Sequence, residues 1–275
     1  MPVDIGKVNF ALKGQTALIT GAGGILAEYF TAGLARAGAN IALIDINDQV
    51  INERAKMLST KYDVSTYAHT CDITKKDSVS SMVQAVSDNL GDITILHNNA
   101  AAKPKDLTKY FAPYEEYSLD VWKDMMAVNI DGMFLVSQAV GKHMISHGKG
   151  GSIIQTASIY GVNAPDQRIY EGSDYMGGPI NTPAVYSASK AAVVGLTKYL
   201  ATYWAEKNIR VNCLTPGGVE SGQNETFKQK YSARIPLGRM AEAQEMVGAL
   251  IYLASSASSY VTGQNIMIDG GLNAW

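Results

Sequence analysis

A chain of 275 residues, 47% hydrophobic and 17% charged with a net charge of −2, holds enough apolar sequence for a sizeable core, which excludes disorder over most of its length. Without a block of Lys or Arg it offers no electrostatic footprint for nucleic acid and no polybasic anchor for a membrane. The first twenty residues lack the pattern of a secretion signal and no segment is long enough to span a bilayer, so a cytoplasmic location is expected.

Apolar runs of strand length alternate with stretches of helical period along the whole chain. Strands are predicted at 16–20, 40–45, 65–72, 93–98, 151–158, 209–216 and 264–269. Helices are predicted at 25–37, 48–60, 75–90, 117–147, 185–206 and 242–254. Repeated strand–helix–strand units with right-handed crossovers give an α/β, doubly wound parallel sheet with helices on both faces. No linker, repeat or low-complexity tract interrupts the rhythm, so residues 1–275 read as a single domain. The stretches 101–116, 159–184 and 217–241 are too long for plain connections and are candidate substrate loops.

The first strand runs into Thr20-Gly21-Ala22-Gly23-Gly24-Ile25-Leu26-Ala27 and then a helix. Missing Cβ atoms let the backbone approach a pyrophosphate, and the positive end of the helix favours its charge; a plain tight turn is the alternative. Asp45 ends the second strand, where a carboxylate can accept bonds from both ribose hydroxyls and repel a 2′-phosphate, which argues for NAD over NADP unless the residue merely starts a turn. The absence of Lys and Arg at 21–35 and 45–53 agrees with this, since nothing there could neutralise an extra phosphate. Asp72 ends the third strand, as a turn residue or an adenine contact, and Thr74-Lys75-Lys76-Asp77 reads as a capping box for the helix at 75–90.

Cys71 and Cys213 lie in apolar runs and read as buried thiols of a reducing compartment. His69, His97, His143 and His147 are scattered without a third ligand for any pair, so no metal is expected. Tyr186 and Lys190 stand four apart on one helix face. A tyrosine with a pKa near ~10 is a poor base at neutral pH, but an adjacent ammonium and a nicotinamide cation stabilise its phenolate and make it a base for an alcohol proton.

The residues together resemble the short-chain dehydrogenase/reductase family from about residue 12 to residue 271. The resemblance rests on the glycine turn, Asp45, Asp72, Asn98-Asn99-Ala100-Ala101, Asn129, Ser158, Tyr186-x-x-x-Lys190 and Pro216-Gly217. It implies a Rossmann-type domain in which Tyr186 is the acid/base and Lys190 lowers its pKa and holds the nicotinamide ribose. Ser158 would orient the substrate oxygen, and Asn129 would support a water-linked proton path. The cofactor would lie against Gly21, Gly24, Ile25, Asp45, Asp72, Ile73, Asn99, Ala100, Pro216, Gly217 and Val219 as well as Tyr186 and Lys190. It also implies a homotetramer formed through helices 117–147 and 185–206. The family's usual T-G-x-x-x-G-x-G turn is one residue shorter here, its Asn-Asn-Ala-Gly run ends in Ala101, and Ser221 stands where a threonine is common.

Between Ser158 and Tyr186 the stretch is long for that family, and it carries Asn163, Gln167, Arg168, Tyr170, Glu171, Asp174, Tyr175 and Asn181. Such polar density suits a sugar or polyol, although a loop packing against another subunit accounts for the length as well. The IYEG block, the PGG turn and the SYVTGQNIMIDGG ending look similar to members acting on sugar acids and in nonulosonic-sugar pathways. Lys103 and Lys105, with Arg168, could hold a substrate carboxylate or phosphate, or be solvated loop charges. The expected activity is hydride transfer between NAD and a hydroxyl-bearing carbon of a sugar, sugar acid or polyol. The alternatives are an NAD(P)H-dependent ketone or 3-ketoacyl reductase and a catalytically silent cofactor-sensing scaffold.

Overall fold

In the parallel sheet the inner strands are buried on both faces, so their odd and even side chains are largely apolar, while the edge strands, Thr66–Thr70 and Asn265–Ile268, are only half-buried. The structure, a computed structural model, describes residues 8–102, 104–175 and 177–275. Its strands are β1 (Thr16–Thr20), β2 (Asn40–Asp45), β3 (Thr66–Thr70), β4 (Ile93–Asn98), β5 (Gly151–Thr156), a short hairpin of β6 (Asp174–Tyr175) and β7 (Gly178–Pro179), β8 (Ile209–Pro216) and β9 (Asn265–Ile268). The helices are α1 (Ile25–Arg36), α2 (Asp48–Tyr62), α3 (Lys76–Leu90), α4 (Leu107–Tyr110), α5 (Leu119–Met126), α6 (Met133–His147), α7 (Ala184–Tyr203), α8 (Glu225–Ser232) and α9 (Val247–Ala254).

Seven strands form one parallel sheet in the order β3-β2-β1-β4-β5-β8-β9. Ala17, Ile19, Ile41 and Leu43 face one layer, packing with Phe30 and Leu34 of α1, Ile51 and Leu58 of α2 and Leu250 and Leu253 of α9. Leu18, Ala42 and Ile44 face the other, with Met82 of α3, Val136 and Val140 of α6 and Leu200 of α7. The order reverses direction between β1 and β4, so the carboxyl ends of the central strands open a crevice there, the usual place for a ligand on such a sheet.

Three expectations are corrected. The helix expected at 117–147 is α5 and α6 joined by a π-helical turn, Ala127–Gly132. A side chain at Gly132 would put its Cβ 2.7 Å from Cγ1 of Ile73, and the helix runs against that residue through its glycine. The capping box at Thr74 does not form. The N-cap of α3 is Lys75, with no side-chain bond, because the Thr74 N–H and hydroxyl both donate to Asp72 Oδ1 at 3.0 and 2.7 Å. Finally, the stretch 217–241 contains α8, capped by Asn224, whose Oδ1 accepts from the Phe227 N–H at 2.9 Å.

Candidate active site

The carboxyl end of β1 delivers Gly21 in the left-handed region, at φ +65°, against the backbone of Ala100. Thr20 fastens this crossing: its hydroxyl donates to Asn98 Oδ1 at 3.1 Å and accepts from the N–H groups of Asn99 and Ala100 at 3.0 and 3.1 Å. Gly24 is the N-cap of α1, and no side chain caps the helix. Anionic groups are favoured at such an end. Ile25, 64% exposed, begins that first turn. Ile73 instead is buried beneath Gly132.

The shortened turn closes on Asp45, whose Oδ2 accepts from the Gly23 N–H at 2.8 Å and whose Oδ1 accepts from Asn47 at 3.0 Å. The crevice thus offers an uncapped helix end, a glycine turn and a carboxylate at the end of the second strand, a donor and acceptor set that fits a dinucleotide. Asp72 shares the same edge and closes its own turn through Thr74. On the far side Pro216 ends β8, the Gly217 N–H donates to Ile268 at 2.9 Å, and Val219 bridges to Ala241.

Ser158 follows β5, and Tyr186 and Lys190 occupy the first turns of α7. Ser158 Oγ accepts from the Tyr160 N–H at 3.3 Å and stands near enough to the Tyr186 phenol to favour its ionised form. Burial pushes the Tyr186 phenol up from its ordinary value, Ser158 opposes the rise and neighbouring Tyr170 adds to it. Lys190 Nζ is 6.0 Å from the Tyr186 ring centroid and donates to the Thr156 carbonyl at 2.8 Å. Asn129 lies in the π-helical turn, where it accepts from the Ala102 N–H at 2.8 Å and donates to Ser189 Oγ at 3.1 Å, tying the Asn-Asn-Ala-Ala strand exit to α7. π turns of this kind recur at functional sites.

Burial lowers the Lys190 ammonium from 10.5 to about 8. The fold therefore disfavours the charged form below about 8, and the penalty fades as pH rises from there toward the unfolded value. Lys190→Met is expected to melt no lower than the parent at pH 7, with its advantage shrinking toward pH 10. Melting curves across that range check this; a variant less stable at pH 7 with no pH trend contradicts it.

Residues 22–273 match the family described as enoyl-(acyl carrier protein) reductase. The chain is 34% identical over 289 residues to D-arabinitol 2-dehydrogenase [ribulose-forming] of Candida albicans (strain WO-1), covering 97% of this chain and 95% of the relative. Gluconate 5-dehydrogenase of Gluconobacter oxydans (strain 621H) is 33% identical over 269 residues, covering 96% of both chains. The crystal structure of a gluconate 5-dehydrogenase from Burkholderia cenocepacia J2315 in complex with NADP and tartrate superposes with a TM-score of 0.86 at 33% identity, covering 98% of this chain and 99% of that one. This chain is a short-chain dehydrogenase/reductase. NAD+-bound xylitol dehydrogenase, at TM-score 0.83 and 28% identity over 94% of this chain and 99% of that one, shows the same fold. Structures of this fold thus carry either NAD or NADP, and the protein is an NAD(P)-type oxidoreductase.

In this short-chain dehydrogenase/reductase the loop expectations divide. Tyr170 is drawn in: its hydroxyl bonds the Thr182 hydroxyl, and its ring stacks on Phe227 at 5.4 Å between centroids. Arg168 points outward, 83% exposed, and grips Asp166 through Nε and Nη2 at 2.8 and 2.9 Å, so the structure does not place it in the site. Lys103 lies outside the described residues. Among the described residues no three His, Cys, Asp or Glu side chains gather into a metal-ligating group, and no helix is long and apolar enough to cross a membrane.

Arg54 lies one residue past the stretch 45–53, whose lack of Lys and Arg points to NAD. Two turns into α2 it folds back over the glycine turn, donating to the carbonyls of Ala22 and Gly24, the latter at 3.1 Å, and standing 3.5 Å from Glu28. A cation therefore does lie beside Asp45, contrary to that reading, but its donors are committed to the turn and to Glu28. The 3.6-residue helical period is the signal that could have found it, since α2 starts beside the turn. The sequence pattern also gives no sign of the aromatic wall of Tyr160, Tyr231 and Phe227, with Arg234 beside it, because α8 falls in a stretch expected to be irregular.

Proposed function

We propose that this chain is an NAD-dependent dehydrogenase of a sugar, sugar acid or polyol. The observation that carries the reading is the grouping of Ser158, Tyr186 and, one helical turn on, Lys190 at the mouth of a crevice whose other side is Asp45. The relatives that act on arabinitol and gluconate support the substrate class. The bound cofactor would accept or return hydride at the carbon bearing the substrate oxygen. Ser158 holds that oxygen, and Tyr186 takes the hydroxyl proton in oxidation and gives it back in reduction. Lys190 favours the phenolate and holds the ribose, and Asn129 fixes the helix turn that carries it while supporting a water-linked proton path.

Gly21, Gly24 and Ile25 would hold the pyrophosphate, Asp45 the adenosine ribose, and Asp72, Ile73, Asn99 and Ala100 the adenine side. Pro216, Gly217 and Val219 would border the nicotinamide. Tyr170 would face the substrate. Phe134 on α6 and the stacked, exposed Tyr199 and Tyr203 on α7 support a homotetramer built through these helices. Two unpaired, buried cysteines, Cys71 and Cys213, support a cytoplasmic setting.

A screen of sugars, sugar acids, polyols and their phosphates with NAD, read as absorbance of the reduced cofactor, tests the reading. Turnover confined to simple ketones or acyl-carrier ketoacyl groups would overturn it. NAD is expected over NADP by more than tenfold in kcat/KM, a demand of only about 1.4 kcal/mol on Asp45. Equal use of the two would remove Asp45 from that role.

A further inference from the structure

The aromatic wall beside Tyr186 is lined by groups whose polar ends are not all used. Tyr231 stacks on Phe227 at 5.5 Å, and its ring leaves no room for a side chain at Gly218, whose Cβ would stand 2.2 Å from Cε1. That fixes Tyr231 over the turn after β8. Tyr160, two residues past Ser158, belongs to the same cluster, and its buried hydroxyl, facing those of Tyr170 and Tyr231, reaches no partner within 3.5 Å. Arg234, just beyond α8, has Nη1 buried without a partner. On its other side Arg234 borders a cavity of about 600 Å³ that Asn163 and Asn273 also line.

The charge of Arg234 is poorly matched. Its one recorded acidic neighbour among the described residues is Asp166, 3.8 Å from Nε. That carboxylate already receives Nε and Nη2 of Arg168 at 2.8 and 2.9 Å together with the Arg168 N–H at 3.1 Å. Lys230 is occupied by the Glu171 carbonyl and carboxylate and by the Arg168 carbonyl, so its charge is committed and leaves Arg234 as the cation available to an anion here. A buried guanidinium N–H with no acceptor is costly to the fold. An oxyanion supplies the missing acceptor, and a guanidinium with a neutral phenol is a suitable donor pair for one. Burial raises Tyr160 and Tyr231, the latter to about 12, so both phenols stay protonated as donors at neutral pH.

We propose that Arg234 Nη1 and Tyr160 Oη form a subsite for an oxyanion at the end of the substrate remote from its reacting carbon, either a carboxylate or a phosphate monoester. This rests on the proposed dehydrogenase reading and narrows it from polyols at large to anionic sugars. It also moves the anion contact from Arg168, which is spent on Asp166 at the surface, to Arg234.

The test uses the NAD complex and two matched pairs of probes, tartrate against threitol and glycerol 3-phosphate against glycerol, titrated calorimetrically. At least one anion is expected to bind tenfold or more tightly than its neutral partner, and which pair responds distinguishes carboxylate from phosphate. Arg234→Met is expected to erase that preference, Arg234→Lys to keep part of it and Tyr160→Phe to weaken it, with NAD affinity unchanged in all three. Equal affinity for charged and neutral probes, no detectable binding of either anion, or a preference that survives in Arg234→Met overturns the subsite. Should Arg234→Met melt too low to assay, the Arg234→Lys and Tyr160→Phe comparisons decide. NAD-linked turnover of a neutral polyol without anion preference would sink the subsite and leave the dehydrogenase reading standing. Arg234-dependent anion binding without any turnover in the substrate screen would do the reverse.

Discussion

Tyr186→Phe is expected to lower kcat by at least about 100-fold, the usual worth of a positioned acid or base, while the cofactor binds as it does in the parent. The substitution removes one oxygen. The ring that packs beside Lys190 remains, and the Ser158 hydroxyl keeps the Tyr160 N–H. Because burial raises the phenol, oxidation of an alcohol is expected to accelerate as pH rises and reduction of the matching carbonyl to slow, and both trends should vanish in the variant. Stopped-flow turnover in both directions with a parallel cofactor titration checks this. A variant that keeps more than about a tenth of parental kcat would take the proton-transfer role away from Tyr186.

The sheet could be read from the chain because parallel strands buried on both faces are short, continuous apolar runs. Residues 16–20, 40–45, 93–98 and 209–216 are found as strands with the expected bounds. The residues proposed for catalysis could be placed for a related reason, since Tyr186 and Lys190 need only helical spacing and Ser158 only a strand end. What failed depends on contacts distant in sequence. No local pattern in 117–147 announces a π-helical turn, which sits where Gly132 crosses Ile73. The α8 helix has few apolar residues, and its buried Phe227 and Tyr231 face loop residues Ile169 and Tyr170 rather than the main sheet. Charge was misjudged in the same way. Arg168 looked like a substrate contact because it is the arginine of the loop, yet Asp166, two residues earlier, takes both its donor edges. Arg54 reaches the glycine turn from a helix that runs past it.

Gly21→Ala is expected to weaken cofactor binding by tenfold or more and to lower the melting temperature, because two separate constraints meet at this position. The residue sits at φ +65°, where a side chain costs about 1–2 kcal/mol. An added Cβ would also stand 2.7 Å from Cα and 3.1 Å from N of Ala100. Those are backbone atoms pinned by Thr20, so they cannot swing aside as a flexible side chain would, and overpacking of this kind typically costs about 1–3 kcal/mol. Relief has to come from the turn itself, whose displacement moves Gly23 off Asp45 and the Ala22 and Gly24 carbonyls off Arg54. Gly14→Ala is the matched control: it also has positive φ, at +80°, but nothing lies within 4 Å of the added atom. It should lose stability through backbone strain alone and bind the cofactor normally. Calorimetric titration of NAD into both variants, with melting curves alongside, separates the effects. Normal NAD affinity in Gly21→Ala would mean that the turn does not hold the pyrophosphate, and the cofactor's place in the crevice would then have to rest on Asp45 and α7 alone.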